Sequence, residues 1–224
     1  MSKPTEYAIA ETSHGAGTVT TYNYDARDLL LAIRAASIAT SKDAGRPLLT
    51  AAHVSHSADS FTVASTDSYR LVIVECPSDH SDDGVPDYLL PGDLIGQVCK
   101  AFTAAQASRM VGQVATVTIT DADSSERGSV TFTCTGTTLT SRVMTGTYPQ
   151  YRDLIPAGET NLTGPVGYNP KYLSDIAKVA KAIGCSGADP VRVEFIDANK
   201  PTKMVMRSGN LTATYLLMPV RLSS

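Results

Sequence analysis

The 224-residue sequence is poor in several features that mark common protein classes. It has no Trp, only four Phe, and no run approaching 18 apolar residues, so it predicts no membrane-spanning helix. The segment 1–6 lacks the basic-then-apolar layout of a secretory signal, so a cytoplasmic protein is expected.

Residues that carry catalytic or metal chemistry are also sparse and poorly placed. The four cysteines are far apart and lack paired-ligand spacing, which predicts reduced thiols and no metal: Cys76, Cys99, Cys134 and Cys185. The histidines have no partner at triad or metal spacing: His14, His53, His56 and His80. No Gly-rich phosphate loop precedes a helix, and the acid pairs Asp82-Asp83 and Asp121/Asp123 lie in polar, turn-like stretches. The sequence therefore predicts neither an enzyme nor a cofactor.

What is present is a pattern that recurs three times along the chain. In the first copy a strand at 18–22 precedes a helix capped by Asp25, and strands follow at 48–55, 60–65 and 69–75. The helix places Leu29, Leu30, Ile33 and Ala36 on one face. An α+β fold built from strand–helix–three-strand units is predicted.

The other two copies follow the same order. In the second, residues 88–90 precede a helix that starts at Pro91 and extends to Ala105, and strands follow at 113–120, 129–134 and 139–144. In the third, 164–168 precede a helix capped by Asn169, with Tyr172, Ile176, Val179 and Ile183 on its core face and strands at 191–196, 203–206 and 211–218. The predicted organisation is an N-terminal tail or weakly held edge strand 1–17, a domain of two units 18–156, and a third unit 157–224.

Charge is distributed unevenly over these units. The chain has a net charge of −3, which argues against binding nucleic acid through bulk charge. The three segments that contain the predicted helices, 25–42, 93–109 and 171–181, nevertheless hold eight basic residues against four acids. The basic residues are Arg27, Arg34, Lys42, Lys100, Arg109, Lys171, Lys178 and Lys181. Lysines on solvated helix faces are ordinary, but three helices with the same bias fit a surface that faces phosphates.

The last segment, 215–222, permits two interpretations. Its leucines and Met218 read as a buried strand that Pro219 ends, so Leu222 could simply fill the core. Alternatively, the apolar tail could form one wall of a groove for another protein's peptide.

Four strings occur in the order seen in the bacterial DNA polymerase sliding clamp (beta subunit), which the chain resembles over about residues 18–222. They are Gly45-Arg46-Pro47-Leu48-Leu49, Ser65-Thr66-Asp67-Ser68-Tyr69-Arg70-Leu71, Gly146-Thr147-Tyr148-Pro149-Gln150-Tyr151-Arg152-Asp153-Leu154-Ile155-Pro156 and Leu217-Met218-Pro219-Val220-Arg221-Leu222. The resemblance implies a non-catalytic ring with helices lining a hole for duplex DNA and sheets outside. It also implies partners, a DNA polymerase and a clamp loader, that bind through short peptide motifs.

The resemblance assigns two sets of site residues. The predicted DNA-facing residues are Arg27, Arg34, Lys42, Lys100, Lys171, Lys178 and Lys181. The predicted peptide groove comprises Leu49, Thr66, Ser68, Tyr69, Arg70, Leu71, Pro149, Leu154, Asn169, Tyr172, Leu216, Met218, Pro219, Val220, Arg221 and Leu222. On this basis the tail is expected to be a groove wall.

The chain departs from the family in size and in parts of the groove. The bacterial clamp has three domains of two units each, whereas three units are present here, which indicates a shortened, phage-encoded version. Ser68-Tyr69 replaces a Gly-His-like pair, and Asp153 stands where a basic or neutral residue is expected. Because twelve units close the family's ring, four chains are expected, with a trimer or a dimer as alternatives. An adaptor or decoy that binds clamp-interacting peptides without encircling DNA is the competing function.

Overall fold

The computed structural model describes residues 10–13, 18–78, 86–121, 128–161 and 164–222. His14, His80, Asp82, Asp83, Asp123 and most of the predicted tail 1–17 lie outside these ranges. Within them, no helix is long and apolar enough to cross a membrane.

Twelve strands and four helices are described. The strands are β1 (Ala10–Ser13), β2 (Thr18–Asp25), β3 (Ala52–Ser57), β4 (Ser60–Thr66), β5 (Arg70–Pro77), β6 (Tyr88–Leu90), β7 (Val114–Thr120), β8 (Ser129–Cys134), β9 (Thr137–Arg142), β10 (Arg192–Glu194), β11 (Thr202–Ser208) and β12 (Leu211–Leu217). The helices are α1 (Ala26–Ala36), α2 (Gly92–Ala101), α3 (Ala104–Ala107) and α4 (Pro170–Ile183).

The strands form two antiparallel sheets that interlock the three units. One has the order β1-β2-β7-β8-β9 and the other β10-β11-β12-β5-β4-β3-β6. The first strand of each of the first two units pairs with a strand of the other unit: β2 pairs with β7, and β6 pairs with β3. The third unit joins the first, because β12 pairs with β5.

The helices pack side by side against these sheets. The Asp25 carboxylate accepts from the Asp28 amide at 3.1 Å and so caps α1, whose apolar residues are almost all buried. Helix α1 contacts α2 on one side and α4 on the other, as well as β4 and β5 beneath. The main hydrophobic core therefore contains residues from all three units.

Three predicted elements differ from the observed ones. The strand predicted at 48–55 begins only at Ala52, because Pro47–Thr50 form a 3-10 turn that starts at the proline. The second helix ends at Ala101 because Phe102 is extended, and Thr103 starts the separate helix α3 through a capping box with Gln106, so the single helix to Ala105 was wrong. In the third unit the predicted strand 164–168 is reduced to one bridge between Gly167 and Val220. The domain boundaries at 18, 156 and 157 stay predictions.

Candidate peptide groove and basic helix face

A shallow apolar pocket lies where the β4–β5 turn meets the end of β12. Its floor contains Leu71 and Leu216, which are buried, and its rim contains Met218 and Leu154, whose exposed fractions are 39% and 52%. The pocket has a volume of about 30 Å³ and is lined by Thr66, Ser68, Tyr69, Arg70, Leu71, Leu154, Pro201, Leu216 and Met218. It is therefore a shallow apolar depression against which a peptide side chain could pack, and it is far smaller than the site of a drug-sized ligand.

The β4–β5 turn is held in shape by its own polar side chains. Asp67 Oδ1 accepts from the amides of Tyr69 and Arg70, at 3.0 and 3.1 Å. Thr66 Oγ1 donates to the Arg70 carbonyl at 2.7 Å. Ser68 takes a left-handed φ of 78°, which explains why a glycine-like residue suits this position. The turn therefore presents Tyr69 outward, with 57% of the residue exposed.

Arg70 connects the turn to α4. Its guanidinium pairs with Asp67 at 3.1 Å and with Asp175 of α4, and it lies 4.7 Å from the centre of the Tyr172 ring. Asp175 also accepts from Lys178 Nζ at 2.5 Å. Because the Asp175 side chain is only 4% exposed, it depends on these cations to offset its desolvation.

Aromatic stacking extends the same connection. The rings of Tyr69 and Tyr172 stack with centroids 6.1 Å apart, so Tyr172 borders the pocket from the α4 side. Tyr215 donates its hydroxyl to the Tyr172 carbonyl at 2.8 Å, and burial raises the pKa of Tyr215 well above its usual range. The Tyr215 hydroxyl therefore stays protonated as a donor at neutral pH.

The chain tail runs beside the pocket instead of filling the core. The Met218 amide donates to the Tyr69 carbonyl at 3.0 Å, and the Val220 amide donates to the Gly167 carbonyl at 2.8 Å. Leu222 is 58% exposed, so the interpretation of Leu222 as a core residue was wrong. Pro219, Val220, Arg221 and Leu222 instead form an open rim next to the start of α4.

Eight predicted groove residues lie outside the pocket lining: the four tail residues 219–222 and four others. Leu49 is buried in a short 3-10 turn, Pro149 borders a separate cavity next to His53, Asn169 caps α4 by accepting from the Lys171 amide, and Tyr172 contacts the pocket through Tyr69. Pro201 lines the pocket but was not predicted. No local signal identified it, because Pro201 reaches the groove only through the pairing of β11 with β12.

One basic residue occupies an equivalent position on each of the three long helices. The ninth residue after the N-cap is Arg34 in α1, Lys100 in α2 and Lys178 in α4. The second residue after the N-cap is Arg27 in α1, Asp93 in α2 and Lys171 in α4. It lies seven positions before the ninth residue, so the two residues share one strip along each helix. Lys42, Lys100, Lys171, Lys178 and Lys181 are exposed.

The two arginines of α1 are less free than the lysines. Arg34 donates to the Cys99 and Phe102 carbonyls at 3.0 and 2.6 Å, which satisfies groups at the end of α2 that its backbone leaves unpaired. Arg27 pairs with Asp28 at 2.8 Å. The exposed lysines are therefore the better candidates for phosphate contacts, whereas Arg34 also holds α1 against α2.

A separate cavity beside His53 has polar walls. His53 lies 3.2 Å from Asp87 and 3.4 Å from the Tyr151 hydroxyl, and burial lowers its pKa. Across the described residues, no group of three or more His, Cys, Asp or Glu could hold a metal ion.

Comparison with known proteins identifies relatives over the part of the chain that contains the β4–β5 turn. Residues 25–150 match the family model described as DNA polymerase III beta subunit, central domain. The chain is 33% identical to the beta sliding clamp of Synechocystis sp. over 129 residues, which are 55% of this chain and 32% of that protein. It is 30% identical to that of Micrococcus luteus over 149 residues, 66% of this chain and 43% of that protein. It thus spans less than half the length of these relatives.

Solved structures share the fold over nearly the whole chain. A beta sliding clamp from C. crescentus aligns with a TM-score of 0.66 at 17% identity, covering 96% of this chain and 76% of the other. A sliding clamp from Bartonella birtlesii bound to griselimycin aligns with a TM-score of 0.66 at 19% identity, covering 99% and 68%. The α+β fold predicted from the sequence is therefore confirmed as the DNA-clamp fold.

Proposed function

The chain belongs to the DNA polymerase III beta subunit family, and from that membership we propose that it is a DNA sliding clamp. It encircles duplex DNA without regard to sequence and tethers a DNA polymerase, as a processivity factor with no catalytic activity. It is a phage-encoded form that acts in the bacterial cytoplasm and is placed on DNA by a clamp loader.

The observation that carries the proposal is the basic residue at the ninth position after the N-cap of each long helix. Three helices that pack side by side thereby present Lys100 and Lys178, together with Lys171, on one surface of a chain whose net charge is −3. Long lysine side chains that contact phosphates bind any sequence and allow the protein to slide. Lys42 and Lys181 extend the same surface.

The groove supplies the polymerase contact. Two apolar side chains of a peptide, Leu or Phe, enter the pocket above Leu71 and Leu216, with Met218 and Leu154 at its rim. Each buried side chain contributes about 1.5–3 kcal/mol before ordering costs, which supports micromolar affinity. Clamp loader and polymerase bind the same pocket, so within one chain they exclude each other.

The ring is a homotetramer. Twelve units of this size surround duplex DNA in the family, and three units per chain require four chains. Leu173 of α4 and Val193 of the edge strand β10 both leave apolar surface uncovered. A neighbouring chain that covers this surface completes the third unit, and closed symmetry is the usual choice for soluble homo-oligomers.

A topological assay tests the proposal. The protein is dissociated in high salt and returned to low salt at micromolar concentration with nicked circular DNA, and the complex is isolated by gel filtration. Retention on circles that is lost when the DNA is linearised is expected. Equal retention on circular and linear DNA, or none, contradicts the clamp. A monomer by light scattering that still binds peptide would instead favour the adaptor or decoy.

A further inference from the structure

One buried carboxylate, that of Asp175 in α4, lies between the apolar pocket and the helix surface that carries Lys178. The side chain of Asp175 is 4% exposed. Its Oδ1 accepts from Lys178 Nζ at 2.5 Å, and its Oδ2 accepts from the Arg70 guanidinium. An ionised carboxylate at this depth is stable only while cations compensate its charge. The strength of each ion pair therefore depends on the position of the other cation.

The two cations belong to different surfaces of the molecule. The Lys178 side chain is 63% exposed on α4, so its ammonium group can leave Asp175 for an anion in the solvent. The Arg70 side chain is 10% exposed, lines the apolar pocket, and is also held by Asp67 at 3.1 Å and by the face of the Tyr172 ring. A change at the helix surface can thus reach the wall of the pocket through a single carboxylate.

Electrostatics determines the direction of this effect. Arg70 and Lys178 are like charges on one carboxylate, so each weakens the attraction of the other to it. When Lys178 leaves, that repulsion disappears and Asp175 holds Arg70 more firmly. A pocket wall that is already fixed has less side-chain entropy to lose when a peptide packs against it. Withdrawal of Lys178 should therefore tighten peptide binding.

We propose that Asp175 is a positioning residue that couples DNA binding at Lys178 to peptide binding in the apolar pocket, with positive cooperativity. A duplex phosphate that pairs with Lys178 strengthens the Arg70–Asp175 pair and so favours the peptide. By reciprocity, a bound peptide favours the phosphate by the same factor. This coupling rests on the proposed function, to which it adds that a clamp on DNA binds its partners more tightly than a clamp in solution. Because one exposed lysine carries it, we expect a change in Kd of about two- to fivefold.

The first test removes the Lys178 charge in the absence of DNA. Lys178→Gln leaves Asp175 with Arg70, as a phosphate would, so the peptide Kd should fall about two- to fivefold. The probe is a synthetic peptide with Leu and Phe, blocked ends and no charged residue, which the loss of a distant charge does not affect directly. Titration calorimetry measures the Kd. Arg109→Gln is the matched control, because it removes one positive charge from an exposed residue outside the pocket lining.

The outcome of this comparison decides the coupling. Tighter binding by Lys178→Gln than by Arg109→Gln supports it, and equal or weaker binding overturns it. A peptide that does not bind the unmodified protein refutes the pocket of the proposed function instead.

The second test establishes whether Asp175 carries the effect. In an Asp175→Asn background, Lys178→Gln should leave the peptide Kd unchanged, because the amide has no charge for the two cations to share. A merely structural Asp175 would change the affinity without removing the response to Lys178→Gln, and a response that persists in this background overturns its role. Circular dichroism checks the fold. The comparison of Lys178→Gln with Arg109→Gln needs no Asp175 variant, so it decides the coupling even if Asp175→Asn fails to fold.

The third test adds linear duplex DNA at low salt. Saturating duplex should lower the peptide Kd about two- to fivefold for the unmodified protein and leave that of Lys178→Gln unchanged. A duplex that binds without changing the peptide Kd overturns the coupling to DNA. A duplex that does not bind refutes the clamp, and with it DNA as the anion, whereas tightening by Lys178→Gln would still support the connection through Asp175.

Discussion

Arg70 of β5 and Asp175 of α4 form a buried ion pair that joins the groove turn to the helix layer. The two side chains are 10% and 4% exposed, and Lys178 and Asp67 complete the network around them. Helix α4 belongs to the third unit and β5 to the first, and the second unit separates them in the sequence. The ion pair therefore joins two units that are not consecutive in the chain.

Asp175→Asn should lower stability, because the neutral amide no longer compensates the buried Arg70 guanidinium. Arg70 retains Asp67, so we expect a loss of about 1.5–3 kcal/mol, the range for hydrogen bonds to charged groups. For a chain of this length that corresponds to a Tm lower by roughly 3–12 °C, measured by circular dichroism. The control is Asp153→Asn, which changes an exposed carboxylate. An unchanged Tm for Asp175→Asn would contradict the role of the pair.

Met218→Asp should weaken peptide binding while leaving the fold intact. The substitution places a charge at the rim of the pocket and removes apolar contact worth about 1.5–3 kcal/mol, so Kd should rise at least tenfold. Titration calorimetry with a short synthetic peptide carrying Leu and Phe measures it. Val111→Asp is the matched control, since Val111 is an exposed apolar residue outside the pocket lining. Unchanged affinity in the Met218 variant would place the groove elsewhere.

Gly167→Ala should displace the tail from the rim of the groove. A Cβ there would lie 2.5 Å from Leu222 Cδ2 and 3.1 Å from the Val220 carbonyl oxygen, so both must shift. If Leu222 contacts the peptide, we expect a loss of about 1 kcal/mol in binding with little change in Tm. Gly164→Ala is the control, because a Cβ at Gly164 meets no atom within 4 Å. Equal peptide affinity in the two variants would exclude Leu222 from the groove.

Reversing Lys100 and Lys171 to Glu should reduce the salt dependence of DNA binding. If each contacts a phosphate, the slope of log K against log salt should fall in magnitude by about 1.8 per chain. Lys178 is left unchanged because Asp175 holds it, and Arg34 because it caps α2.

The control for this charge reversal is Lys200→Glu with Arg207→Glu, which makes the same change in net charge. Arg207 alternates with the buried Met206 along β11, so it lies on the sheet face opposite the core. Fluorescence anisotropy with linear duplex over a salt series measures both variants. Equal slopes for the two would contradict a phosphate-facing helix surface.

Much of the fold follows from local patterns. Asp25 and Asn169 were predicted as helix caps and accept from backbone amides as expected. Leu29, Leu30 and Ile33 were assigned to the buried face of α1 and are buried. Spacing and capping chemistry are local properties, so they can be recognised without knowing which elements are neighbours.

The contacts that shape the site are not local and could not be predicted. The exchange of β2 and β6 between units depends on strand partners far apart in sequence. Asp175 was counted only as an acid within a helix, although Arg70, 105 positions away, makes it a structural residue. Arg34 has the sequence pattern of a phosphate ligand, but its guanidinium donates to the end of α2 because that helix end needs donors. Thus the sequence singled out the residues of the β4–β5 turn, whose role in a peptide groove stays a prediction, but it did not show the network that holds the turn.

The pairing of β5 with β12 has a consequence for the linkage between peptide binding and folding. Leu71 of the first unit and Leu216 of the third lie opposite each other in that pairing and line the same pocket. A peptide that enters this pocket therefore binds only molecules in which the two units are joined. By mass action, such a peptide raises the free energy needed to separate the third unit from the first.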